Sequence, residues 1–313
     1  MMEITSYKAD LAAAWNQFVA RSRQGTFLFD RRFMDYHADR FTDASLMVCR
    51  KGRLWALLPA NRDGDTLYTH QGLTYGGLVT AADAVAGEVC DAFVTLNRYL
   101  REQGVRRVVY KPVPHIYHRQ PAEEDIFALS LRCQARLVER DASAVIALDR
   151  PMRFAESRRS GLRKARAEGL TVVESDDVDA FWAILSANLA DKYGARPVHT
   201  VAEMKLLKGR FPQQIRLYLV CDARRQPLGG TVLFLFDRVV HTQYISASPE
   251  GKQMGALDLL FHHLINETNW SQPYFDFGTS ARAEGNELNE PLIFQKHGFG
   301  GRTVCYDWYE YEP

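Results

Sequence analysis

The sequence predicts an α/β protein made of two similar units, each combining helices with a mixed, mostly antiparallel sheet, and three observations predict it. With 313 residues, 46% of them hydrophobic and 25% charged, the chain can bury a large core and is long enough for two domains. Short apolar strands bounded by turn residues alternate with amphipathic helical stretches. That order occurs twice: a shift of 221 − 49 = 172 residues carries Cys49 onto Cys221 and Gln71 onto Gln243. The repeat places one domain at residues 1–150 and the other at residues 151–313.

Helical stretches open each unit, at 12–20 and 31–38 in the first and at 178–193 and 201–208 in the second. Strands follow at 46–49, 54–58 and 66–71, separated by Lys51-Gly52-Arg53 and by the glycine-containing loop Asn61-Arg62-Asp63-Gly64-Asp65. Their counterparts lie at 217–221, 228–236 and 239–246, with turns at 222–227 and at Asp237-Arg238. Each meander feeds a helix. In the first, residues 81–100, Val85, Val89, Phe93, Leu96 and Leu100 form one stripe; in the second, residues 256–270, Leu257, Leu260, Phe261, Leu264 and Ile265 do the same. Strands at 107–111 and 274–278 close the units.

Lysine plus arginine (39) nearly cancel aspartate plus glutamate (38), so the net charge of +1 gives no general attraction to nucleic acid or membrane, and a polyanion must be gripped locally. The five cysteines, Cys49, Cys90, Cys133, Cys221 and Cys305, are widely spaced and mostly in apolar runs, as for buried thiols in a reducing cytoplasm. No zinc pattern, signal-peptide core or membrane-length apolar run is present, so a cytoplasmic protein without metal or membrane insertion is expected.

Strand 239–246 runs into a turn carrying Gly251 and Gly255 and then into a helix, a corner where backbone N–H groups and a helix dipole suit a pyrophosphate. Glycines that serve only to turn are the alternative. Residues 151–169 read as a helix with Pro151 at its start and Gly169 past its end. Arg159, Arg163 and Arg166 share one face of it, suited to a phosphate or diphosphate unless neighbouring carboxylates neutralise them. His115 and His118, after Pro112 and Pro114, lack supporting metal ligands, and lining an acceptor pocket suits them better. Alternation along strand 239–246 puts His241 and Gln243 on one face and Tyr244 on the other. Residues 192–199 are a candidate lid.

The stretches Arg158 to Ala165 with Glu168-Gly169-Leu170, Tyr244 to Ser248, Phe275-Asp276-Phe277-Gly278 and Gln295 to Gly300 resemble the FemABX, peptidoglycan-bridge branch of the GNAT acyltransferases. Pro112 to His118, His241 to Tyr244 and Leu288-Asn289-Glu290 resemble a GNAT-like group that accompanies surface-polysaccharide biosynthesis. The resemblance implies two tandem GNAT-like (acyl-CoA N-acyltransferase) domains and an enzyme of cell-envelope biogenesis. It would transfer an acyl group to an amino group of a phosphate-bearing sugar or envelope precursor. Acyl-CoA, acetyl-CoA included, is the implied donor, held at Gly251 and Gly255. Lys252 to Leu257 departs from the ordinary acetyl-CoA loop by ending in leucine. An aminoacyl-tRNA-dependent transferase of the FemABX type therefore stays open, with tRNA as partner, as does a non-catalytic binding homologue.

Amine acylation needs a base and donors for the oxyanion. His241, Asp276 and Glu290 are the candidate catalytic residues. Lys296 sits where the family motif places a phosphate-region lysine, and Lys111 could serve likewise from the first domain. With Arg159, Arg163, His115, Gln243 and Tyr244, these complete the candidate substrate-binding set. His241, Asp276, Glu290 and Lys296 are expected to converge.

Overall fold

In the computed structural model, which describes residues 2–281 and 287–313, the chain divides into two compact units. One comprises Met1–Asp141 with Cys305–Pro313, the other Ala142–Val304. The division falls at residue 141 rather than 150, and the last nine residues join the first unit. Two strands that sequence patterning did not resolve, Arg136–Ala147 and Arg302–Tyr311, each supply residues to both units.

In the first unit, strands Met2–Ser6, Leu46–Arg50, Arg53–Leu58 and Val79–Thr80 form an antiparallel sheet. The meander expected over 46–71 is split: Pro59, with no N–H for a ladder, follows Leu58, and the chain starts afresh in the hairpin Asn61–Asp63 and Thr66–Tyr68. Thr66–Tyr68 then pairs in parallel with Arg107–Tyr110 across the helix Ala86–Glu102. Val89, Phe93, Leu96 and Leu100 of that helix are buried in one cluster with Trp55, Leu67 and Val108, as the stripe predicts. Val85 is not: it precedes the first helical residue and is 56% exposed. Arg107–Tyr110 is flanked on its other side by Tyr309–Tyr311.

The second unit keeps its meander whole. Thr171–Ser175, Ile215–Cys221, Pro227–Leu235 and Val239–Ala247 pair antiparallel, Val239–Ala247 pairs in parallel with Tyr274–Thr279, and Tyr274–Thr279 pairs antiparallel with Arg136–Ala147. The core under one face is aromatic: Phe261, Phe275, Phe277 and Phe299 pack ring to ring, with centroids 4.9–6.2 Å apart. The connection to Tyr274–Thr279 is shorter and more broken than one helix over 256–270. It comprises Pro249–Met254, Ala256–His262 and a π-helical turn, His263–Glu267. The arginine-rich helix starts at Glu156, not Pro151, and ends at Ala167, with Gly169 in the left-handed region two residues on (φ +69°).

Candidate active site

Strand Val239–Ala247 positions the site through one extra residue. His241 opposes Phe234, Thr242 opposes Leu233 and Tyr244 opposes Val232, so Gln243 is left without a cross-strand partner. This β-bulge shifts the alternation by one and corrects the sequence expectation: Tyr244 lies on the same face as His241. The core agrees, since Val240 and Ile245, five apart, both pack in it. The same strand pairs in parallel with Tyr274–Thr279 over only three residues, of which His241↔Asp276 is the last. Beyond that pair the two strands part.

His241 and Asp276 meet there. Both are buried, and the imidazole Nδ1–H donates to Asp276 Oδ2 at 2.9 Å. Oδ1 of the same carboxylate accepts from Ser143 Oγ at 2.5 Å and from the Gly278 amide at 2.9 Å. A carboxylate so buried needs these donors to offset its lost hydration. With Nδ1 carrying its hydrogen toward Asp276, Nε2 is the basic nitrogen of the ring. Gly278, at φ +73°, packs against the imidazole, and a Cβ there would lie 3.3 Å from His241 Cε1. Ser143 and Gly278 are the contributors that sequence reasoning missed as parts of the site. Gly278 was visible within Phe275 to Gly278, whereas Ser143 sits on a strand with no clear periodic signal.

Lys296, buried in helix Glu290–Gly298, joins the same cluster. Its ammonium donates to the carbonyls of Gly278 and Thr279 at 2.8 and 2.7 Å, fixing the chain that follows Asp276. Burial pushes its pKa down to about 8, against the raising pull of the Asp276 carboxylate. The linkage has a definite sign. Between about 8 and the ordinary 10.5 the unfolded chain holds this proton more tightly, so the penalty for burying the charge is full below about 8 and relieved as pH rises. Urea unfolding of the wild type and Lys296→Met at pH 8 and pH 10 is expected to show the wild type gaining relative to the variant; a constant difference contradicts it.

The other sequence candidates fall elsewhere. Glu290 is exposed at the start of its helix, and no hydrogen bond or ion pair links it to His241 or Asp276 among the described residues. The Tyr244 hydroxyl lies 2.6 Å from His199 Nδ1 and accepts from the His199 amide at 3.2 Å, and its ring meets Trp182 edge-on. Burial raises its pKa to about 12. Through His199, Tyr244 thus ties the candidate lid, residues 192–199, to the sheet. Gln243, the bulge residue, is half-buried.

Gly251 and Gly255 serve close packing. The Gly251 amide is taken by the Ser248 hydroxyl at 3.0 Å, and a Cβ there would sit 2.2 Å from the Leu228 carbonyl oxygen. Gly255, at φ +78°, lets its turn approach Gly161 of the arginine-rich helix, whose carbonyl oxygen would be 2.3 Å from a Cβ. On that helix Arg159 and Arg163 both pair with Glu156, the latter at 2.8 Å, while Arg158 pairs with Asp258 at 3.0 Å and Arg166 with Glu267 at 3.1 Å. The acids that partly neutralise the stripe come from the helix itself and from 258–267. In the first unit, buried Lys111 donates to the Leu73 carbonyl at 2.7 Å and faces the Trp308 ring at 4.7 Å, and burial lowers its pKa to about 8. His115 is exposed at the start of a 3-10 turn. His118 is buried 2.8 Å from the Val113 carbonyl oxygen, its pKa pushed to about 4.

Residues 153–286 match the family model described as an acetyltransferase (GNAT) domain, a span containing His241, Asp276 and the bulge. That stretch is similar to a GNAT acetyltransferase domain. The chain shares its fold with FemX, at a TM-score of 0.67 and 11% identity over 99% of this chain and 97% of that one. The fold is also that of L-PGS from Bacillus licheniformis (TM-score 0.60, 11% identity, 98% and 92% covered). A tandem GNAT protein from the clavulanic acid biosynthesis pathway is similar too (TM-score 0.53, 13% identity, 100% and 98% covered). No match was found among curated proteins. These likenesses give the chain a fold of two GNAT-like domains, the second of which carries the acetyltransferase-domain match. Among the described residues no helix is long and apolar enough to cross a membrane, and no cluster of three or more potential ligands could hold a metal.

Proposed function

We propose that this acyltransferase moves an acyl group onto an amino group of a phosphate-bearing sugar or cell-envelope precursor in the cytoplasm, with His241 as general base. The observation that carries the proposal is the buried His241–Asp276 pair at the point where two parallel strands stop pairing. An amine entering there would lose its proton to Nε2 as its nitrogen attacks the donor carbonyl carbon, while Asp276 steadies the imidazolium that forms. The backbone amide at the Gln243 bulge would face the oxyanion. Collapse of the tetrahedral adduct breaks the bond to the leaving group, a thiolate if the donor is acyl-CoA, and the proton on His241 returns to it. Lys296 positions Asp276 through the Gly278 and Thr279 carbonyls.

A second donor, aminoacyl-tRNA, is supported by the likeness to FemX and to a putative lysylphosphatidylglycerol synthetase domain (TM-score 0.58). Both donors lead to the same step at the same residues. Glu290 stays a proposed catalytic residue, and Gly251, Gly255, Arg159, Arg163, Lys111, His115, Gln243 and Tyr244 stay proposed ligand contacts.

The test is transfer by the full chain from acetyl-CoA, longer acyl-CoAs and charged tRNA to nucleotide-linked amino sugars, followed by mass spectrometry of the acceptor. Acylated amine from one donor class is the expected result. Absence of transfer from every donor would make the chain a binding homologue.

A further inference from the structure

A second feature lies wholly within the first unit and takes no part in the chemistry above. A groove of about 850 Å³ is lined by the end of helix Ala12–Arg21, by the turn joining strands Leu46–Arg50 and Arg53–Leu58, and by residues 81–83. Four cations line it, Arg21, Arg50, Lys51 and Arg53, against one carboxylate, Asp83. Arg50 is paired with Glu88 at 2.5 Å, but Arg21, Lys51 and Arg53 form no ion pair among the described residues. In a chain of net charge +1 this is a local concentration of positive charge, not a general excess.

Apolar residues line the groove too, among them Leu54 and the nearly buried Phe18 and Trp55, and Arg21 lies 5.9 Å from the Phe18 ring centroid. Trp55 is only 4% exposed, and its indole N–H has no acceptor among the described residues. A buried donor without an acceptor is uncommon and costs stability unless something else satisfies it. The turn adds a third sign. Lys51 and Gly52 take φ +51° and +73°, as a tight hairpin turn requires, yet its first position holds lysine where asparagine or glycine is preferred.

We propose that this groove binds an organic diphosphate, with its phosphates held by Arg21, Lys51 and Arg53, its apolar part against Phe18, and an acceptor atom for the Trp55 N–H. Three cations without an ion pair, Arg21 from a helix and Lys51 and Arg53 from one hairpin, match the spread charge of a diphosphate, and guanidinium groups grip such oxygens in a fork. The groove is far larger than one phosphate needs. The apolar part can come from a nucleoside or from a prenyl chain, which share the diphosphate chemistry. The assignment goes beyond the acyl-transfer reading and does not rest on it.

Isothermal titration of the full chain with pyrophosphate, ADP, UDP and farnesyl diphosphate tests it. At least one organic diphosphate should bind more tightly than pyrophosphate, and the arm that does so identifies the source. Lys51→Glu/Arg53→Glu should weaken that binding by roughly tenfold or more per lost contact. The milder Lys51→Gln/Arg53→Gln, with an unchanged melting temperature, should weaken it in the same direction. His241→Gln should leave it unchanged, which separates this site from the acyl-transfer centre. Unchanged affinity in both double variants overturns the proposal, as does RNA binding in preference to every diphosphate or no binding of any diphosphate.

Discussion

His241→Gln should lower turnover by roughly 10²–10⁴-fold with little change in donor affinity, because it removes the base but keeps the size and hydrogen bonding of the side chain. The amide can still reach Asp276, so the carboxylate is not left without a partner at that position. Asp276→Asn should act through His241: the carboxamide no longer favours the tautomer with hydrogen on Nδ1, and turnover should fall while the fold persists. Single-turnover rates of the two variants measure both losses. Full turnover in His241→Gln would remove the histidine from the chemistry and leave it a packing group beside Gly278.

A large effect on stability is expected at Gly255. An alanine there would have to adopt φ +78° and bring its Cβ to 2.3 Å from the backbone carbonyl oxygen of Gly161. Neither side can yield by rotating a side chain, so the cost combines an unfavourable backbone with overpacking, about 3 kcal/mol together. Gly161→Ala meets the same crossing from the other side, where its Cβ would lie 1.8 Å from Asp258 Oδ2. That carboxylate is anchored by Arg158 and its pKa is raised to about 6 by burial. Chemical denaturation should show both variants losing several times what an exposed Arg163→Ala loses, since an exposed ion pair contributes little. Equal losses would mean that the helix crossing relaxes freely.

These two sites show what the chain makes legible and what it hides. The second unit's meander, its crossover segment and the Tyr274–Thr279 strand follow apolar periodicity, and so does the stripe from Val89 to Leu100. Such patterns record burial of one face, which composition along the chain expresses directly. His241, Asp276 and Lys296 were recognisable because they stand within motif-like runs. The bulge at Gln243 was not, because a single residue leaving the ladder changes which face its neighbours occupy without changing their identity. Gly251 and Gly255 were noticed, but a glycine looks the same in sequence whether it admits a ligand or a neighbouring backbone. The partners of Arg159 and Arg163 were local, since Glu156 lies three and seven residues away. The strand Arg302–Tyr311 escaped because polar and aromatic residues mix along it and its pairing partner is about 200 residues earlier.

That late strand has a consequence for how the molecule is made. Tyr309–Tyr311 line one edge of Arg107–Tyr110, and Trp308 supplies the ring over Lys111, yet the whole second unit is translated between those segments. On the ribosome, therefore, the second unit can finish its core while the first is still missing an edge. Until residue 311 emerges, Arg107–Tyr110 presents open backbone hydrogen-bonding groups, the kind of edge that invites pairing with other chains. The usual order, in which the N-terminal domain completes itself first, is reversed here. Emergence of residues 309–311, rather than synthesis of the first half of the chain, is the event that closes the first unit.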